Sequence, residues 1–272
     1  MKKDHSLEIL GVLIILVLLA LSINIYENEY KEDSNYPINT EEYKTKLNNF
    51  SNDFSVNVSF DDPSNLNGDY VITPIDYSKR QEAVSYVEDY LLLFNKDFFS
   101  HFYEYGMSGL DIYFADNISG IKNGYNTTSV IGLSFIKNNK YIMVISLNSD
   151  NSVTEILAHE TMHIIDYYLN AISFNYEWDK LNPEGFSYSH TYYKNNVFKD
   201  TINGNYDDDA IYFVDNYSRS SENEDRARIF EYIILRKSLS KYPHLNNKKE
   251  YLKNVLLKVF PELNETNIFK NY

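Results

Sequence analysis

The sequence predicts an α+β fold, a small mixed sheet with one metal-binding helix followed by a mainly helical part. Three observations predict it. Apolar residues recur at three- and four-residue spacing on both sides of a block of short strand-like runs. Residues 152–170 (SVTEILAHETMHIIDYYLN) carry His159, Glu160 and His163 as an H-E-x-x-H. Hydrophobic residues make up 43% of the 272, enough to bury one substantial core.

In chain order, residues 1–26 form a targeting segment. Lys2 and Lys3 give a basic start, and residues 9–25 then run without a charge. That length sits at the lower limit of a membrane span, about 17 residues, and is long for a signal-peptide core. Ala20-Leu21-Ser22 offers a small-x-small cleavage site. A signal anchor and a removed signal peptide both fit. Either sends the rest of the chain across the membrane with the basic end inside. The expected location is the outer face of a bacterial membrane, with that segment as the membrane contact, or the medium. Residues 27–69 are rich in Asn, Asp, Glu and Ser and read as a polar linker with a short helix near 41–49. The folded domain is expected over residues 70–272.

Within that domain, Val84, Val87, Leu91, Phe94 and Phe98 predict one long helix over 78–105, stopped by Gly106. Strands are expected at 110–114, 128–135 and 141–147. A polar loop with Gly120 and Gly124 precedes the second, and a turn at 137–140 precedes the third. The motif helix follows, with Ser152 as its N-cap and no Gly or Pro inside it. Residues 174–215 read as irregular and aromatic. A helix is expected at 221–239 and an amphipathic one at 247–260, closed by Pro261.

The chemistry is carried by His159, Glu160 and His163. Residues four apart project from one helix face, so two imidazoles can bind one metal ion, with the Glu between them near its open position. The chain has no Cys, which excludes disulfides, Cys-ligated zinc, a thiol nucleophile and the peptide deformylases. Its net charge of −14 and the lack of a basic stripe exclude a nucleic-acid partner.

Catalytic zinc takes three protein ligands and keeps a fourth position open. The third ligand here must be His, Asp or Glu. An H-E-x-x-H-x-x-G-x-x-H extension is missing, because Asp166 stands where that pattern has Gly. Asp166, one turn beyond His163, fits either a partner for a ligand imidazole or a solvated position. His101, His190 and His244 lie in less favourable stretches. Glu222 and Glu224 open the 221–239 helix, and Glu224 shares a side with Ala227, Glu231 and Ile234. Ser221 and Glu224 also read as a capping box. The residues alone leave ligand and cap both open.

The pattern His159-Glu160-x-x-His163 followed by Tyr217-Ser218 and Glu224-Asp225-x-Ala227-x-x-Phe230 resembles the gluzincin-type zinc metallopeptidases. More narrowly, it is similar to the catalytic domain of anthrax lethal factor and to the secreted bacterial Pro-Pro endopeptidases. Trp178 and the stretch 181–186 also look like a segment of uncharacterised bacterial members. The resemblance spans roughly residues 70 to 240, in short windows. It implies a zincin-like fold and one zinc ion per chain held by His159, His163 and Glu224. It also implies Glu160 as general base and Tyr217, seven residues before Glu224, as an assisting catalytic residue. The substrate implied is a peptide or protein. Arg228 stands where the family has a second acidic residue, so a carboxylate role at that position is vacant or altered. The stretch from His163 to Glu224 is longer than in the toxin, which places an insertion within 174–215. The competing expectations are a non-catalytic surface protein with a structural metal site and a zinc amide hydrolase acting on cell-wall material.

Overall fold

The computed structural model describes residues 40–272 apart from 123–124, 150, 191–195, 205–206, 267 and 270–272. The charge-free run at 9–25 lies outside them. Among the described residues no helix is long and apolar enough to cross a membrane. The chain divides into two units, Met1–Tyr43 and Lys44–Tyr272. The second holds the sheet and the motif helix.

The fold is α+β, as expected. Its sheet comprises β1 (Val56–Ser59), β2 (Tyr70–Pro74), β3 (Leu110–Lys122), β4 (Tyr125–Val130), β5 (Gly132–Lys137) and β6 (Lys140–Ser146). β1 and β6 flank β3 in parallel, and β5 closes the order antiparallel to β6. β2 and β4 pair antiparallel with the far half of β3. The Tyr-Ile-Met-Val-Ile run of β6 is buried on both faces, as a strand inside a covered sheet must be.

Several boundaries differ from expectation for physical reasons. The stretch read as linker contributes α1 (Thr40–Phe54) and β1, so the sheet reaches back before Tyr70. Val56 and Val58 are its buried contacts, too short an alternation to stand out in sequence. The strand expected at 110–114 runs on to Lys122 through the stretch read as a polar loop. Ala115 and Ile118 are fully buried there, while Asn117 bonds with Ser119 and Ser129 on the polar side. The strand expected at 128–135 is two strands, divided at Ile131, whose carbonyl accepts from Ser146 N.

The long helix expected at 78–105 is α2 (Arg80–Leu91) followed by a 3-10 turn at Phe98–Tyr103. The break holds an Asx turn in which Asn95 Oδ1 accepts from Asp97 N at 2.9 Å. Phe94, Phe98, Phe99 and Phe102 form an aromatic cluster with Phe260. Ring centroids lie 4.9 Å apart for Phe98 and Phe99 and 5.2 Å for Phe98 and Phe260. The helical spacing of these rings serves that cluster.

The motif helix is α3 (Val153–Ala171), and Ser152 caps it by accepting from Glu155 N at 3.2 Å. It buries Leu157, Ala158, Met162, Ile164, Ile165 and Leu169 completely. Each large aliphatic side chain so buried contributes about 1.5–3 kcal/mol. α4 (Glu222–Ile234) packs against it and stops earlier than expected, because Arg236 takes a left-handed φ of 53°. α5 (Pro243–Val259) starts earlier than expected, with Pro243 in its first turn, where a missing N–H costs nothing.

Candidate metal centre

Three side chains converge between α3 and α4. His163 Nε2 lies 3.1 Å from His159 Nε2. Glu224 Oε2 lies 3.0 Å from His159 Nε2 and 3.6 Å from His163 Nε2. One ligand atom from each falls within 4.8 Å of the others, which makes them a group able to hold a metal ion. The fit is chemical as well as geometric. Glu224 Oε2 is buried and has no well-aligned hydrogen-bond donor. An anionic oxygen and two imidazole nitrogens crowded on one point suit a cation better than they suit each other.

Helix geometry produces this convergence. His159 and His163 are one turn apart on α3. Ser221 caps α4 by accepting from Glu224 N at 3.2 Å, which starts the helix so that Glu224 faces the imidazoles. Ser221 therefore caps the backbone while the Glu224 side chain turns to the site. Glu222 points elsewhere, 3.3 Å from Arg226 and half-buried.

The electrostatics fit a site built for positive charge. Burial alone would lower the His159 pKa, but the carboxylates of Glu224 and Glu231 outweigh it and push it up to about 10. Burial would raise Glu224, yet the two imidazoles hold it well below the usual carboxylate range. Both shifts describe the metal-free chain, where the imidazole proton stands in for a cation.

Glu231 is the residue whose role sequence reasoning missed. Its Oε1 lies 2.6 Å from His159 Nδ1, on the far side of the ring from Glu224. Arg228 donates to both Glu231 oxygens, at 3.0 and 2.8 Å, and also pairs with Asp215 at 3.1 Å. Arg228, which stands where the resemblance has a second acidic residue, holds Glu231, and Glu231 brings a carboxylate to His159 from one turn along α4. The available signal was the seven-residue step from Glu224, which puts both carboxylates on one helix face. Metal-bound His is ordinarily fixed by such a partner on its other nitrogen.

Tyr217 lies against this group. Its ring faces His159 with centroids 6.0 Å apart, and the Arg228 guanidinium sits 5.5 Å from its centroid. Burial, and then the adjoining Glu224 carboxylate, raise its pKa and keep it a neutral donor. Glu160 is buried beside the motif histidines and accepts from Ser134 on β5.

Asp166 takes neither expected role. It is buried and accepts from Arg226 Nε at 3.0 Å and Tyr176 at 2.9 Å. Of the other histidines, His101 pairs with Glu104 and Glu262, His190 is exposed, and His244 stacks on Tyr212. Among the described residues, only His159, His163 and Glu224 form a metal-holding group.

Residues 174–215 are tied to this centre by cations set among aromatic rings. Arg226 lies 4.1 Å from the Tyr176 centroid and pairs with Asp166. Arg219 pairs with Asp200 and lies 4.2 Å from the Phe198 ring. Lys248 is fully buried, 2.6 Å from Asp225 and 4.0 Å from the Phe213 ring. Asp225 also accepts from Trp178 at 2.9 Å and Tyr188 at 2.8 Å.

Comparison with protein-family models, with curated proteins and with solved structures returned no match.

Proposed function

We propose that this chain is a zinc-dependent endopeptidase with a zincin-like catalytic domain, working on the outer face of the membrane or in the medium. The observation that carries the reading is the convergence of His159, His163 and Glu224, with Glu160 and Tyr217 against the same point. The sequence resemblance to lethal factor and the Pro-Pro endopeptidases supports it, as does the position of Glu231 on His159.

A zinc ion held there supplies a Lewis acid and lowers the pKa of water to near 7. Glu231 fixes the His159 ring through Nδ1 and directs Nε2 into the site. Glu160 takes the proton of the attacking water and delivers it to the departing amine. The Tyr217 hydroxyl, kept protonated by its surroundings, donates to the oxyanion that forms on the scissile carbonyl. Among the described residues β5 ends the sheet order, so apart from the Ser134 carbonyl, taken by Tyr167, its outer edge is open beside the site. An extended peptide can add to that edge by main-chain hydrogen bonds. β6 is enclosed between β3 and β5, which favours β5.

The test is cleavage of a peptide library by the full chain loaded with zinc, with Glu160→Gln as control. The expected result is cleavage that a chelator removes and that the variant lacks while still binding zinc. Full turnover by Glu160→Gln would sink the assignment of the base. A chain that neither binds zinc nor cleaves any peptide would sink the reading as a whole.

A further inference from the structure

The closest support of Glu160 comes from the edge strand, not from the ligand set. Ser134 Oγ donates to Glu160 Oε2 at 2.7 Å. Two residues earlier on the same face of β5, a Cβ on Gly132 would lie 2.4 Å from Glu160 Oε1 and 2.8 Å from its Cγ. The carboxylate thus fills the space that a side chain at position 132 would need. It lies pressed on the strand, with Glu160 only 5% exposed. The strand is fixed at the same point. Tyr167, two turns along α3 from Glu160, donates its hydroxyl to the Ser134 carbonyl at 3.2 Å. One residue of α3 takes the Ser134 side chain and another takes its main chain.

We propose that Ser134 is a positioning residue for Glu160. Its hydroxyl, in the room left by Gly132, holds the carboxylate in the orientation used for proton transfer, and Tyr167 fixes the strand that carries it. The inference rests on the metallopeptidase reading above. Its warrant is geometric. A general base works only within hydrogen-bond reach of the proton it takes, and a misplacement of about 1 Å can cost about 100-fold in rate. A Glu side chain has three rotatable bonds, and the Ser134 hydroxyl restrains the end that carries the charge. A hydroxyl bonded to an ionised carboxylate is among the stronger restraints available. Ser134 exchanges no proton with substrate in this role.

The experiment compares the full chain with Ser134→Ala, Ser134→Thr and Gly132→Ala. It reads kcat and KM on the best library peptide, zinc content, and crystal structures of the wild type and Ser134→Ala. In Ser134→Ala, kcat is expected to fall about 10- to 100-fold, the worth of one hydrogen bond to a charged group. KM should stay within about twofold, because substrate contacts are untouched. Zinc content should not change, and the Glu160 carboxylate should leave its place on the strand. Ser134→Thr should recover most of the rate. Gly132→Ala, which drives a methyl group into the carboxylate, should lower kcat with zinc retained. The proposal is overturned if Ser134→Ala turns over at the wild-type rate, or if its loss is not recovered by Thr. An active wild type beside an unaltered Ser134→Ala defeats the positioning role alone. A wild type with neither zinc nor activity defeats the metallopeptidase reading and this role with it.

Discussion

Glu231 offers the sharpest test of how the centre is held. Its bond to His159 Nδ1 is short, 2.6 Å, and its side chain is only 2% exposed, so solvent does little to screen it. Gln at this position keeps the shape and an acceptor oxygen but loses the charge. A hydrogen bond to a charged group contributes about 1.5–3 kcal/mol, against about 0.5–1.5 kcal/mol for a neutral pair. Glu231→Gln therefore gives up about 1–1.5 kcal/mol, close to tenfold in the zinc dissociation constant. Glu231→Ala removes the contact, opens a cavity and leaves the Arg228 guanidinium facing His159. That puts its loss near about 100-fold, the upper end for partners of metal-bound His. The assay is zinc titration against a chromophoric chelator at neutral pH. Glu222→Gln is the control, since Glu222 reaches only Arg226 and is 42% exposed. If both Glu231 variants bind zinc as the wild type does, the carboxylate does not orient the ligand and the argument fails.

Three further outcomes follow from the same structure. Tyr217→Phe should lower kcat by about 10²–10³ with zinc content unchanged; wild-type turnover would remove Tyr217 from the chemistry. Lys248→Met leaves Asp225 as an uncompensated buried charge and should cost about 3–5 kcal/mol in urea unfolding. Trp178 and Tyr188 still donate to Asp225, which favours the low end, and an unchanged midpoint would refute the role of the pair. In the metal-free chain, His159 is raised from 6.5 to about 10, so its stabilisation is complete below pH 6.5 and is lost as pH rises through about 10. The expected loss is on the order of a few kcal/mol, checked by urea midpoints across that range with His159→Asn as reference. Zinc affinity should rise over the same range, because the Nε2 proton must leave before the metal binds. A metal-free midpoint that does not move with pH would refute the shift.

Much of the site was legible because helices translate sequence spacing directly into space. His159, Glu160 and His163 needed only the four-residue step, and Ser152 and Ser221 cap where they were expected to. Glu224 was left level with a capping role because Ser221 and Glu224 form the same pattern for both. In the structure the cap uses the Glu224 backbone N–H while its carboxylate turns to the imidazoles, so the two readings do not compete. Long-range register was not legible. Nothing at Ser134 or Gly132 marks them, because their meaning comes from where β5 docks on α3. β3 was cut short for a related reason: its second half is polar on one side and gains its partners from β2 and β4, distant in sequence. The 78–105 helix failed because aromatic spacing that suits a helix also suits a compact cluster of rings.

Residues 174–215 lie where α3 and α4 are joined, with Tyr176 between Asp166 and Arg226. The ligand helix α4 contributes Glu224 to the metal group, and the next two residues bind the insertion. Asp225 accepts from Trp178, Tyr188 and Lys248, while Arg226 pairs with Asp166 on α3 and covers Tyr176. Displacing residues 174–215 would cost Asp225 the Trp178 and Tyr188 donors and Arg226 the Tyr176 ring, leaving Lys248 and Asp166 as their charge partners. A hydrogen bond to a charged group contributes about 1.5–3 kcal/mol. The placement of Glu224 therefore draws on a segment that carries none of the three converging residues. Substitutions at Trp178 or Tyr188 should weaken zinc binding through α4 even though neither side chain reaches the metal group. Trp178→Phe, which removes one donor to Asp225 and little volume, is the mildest probe. It should weaken zinc binding less than Glu231→Gln does, and a larger loss than that would place Trp178 closer to the chemistry than the structure does.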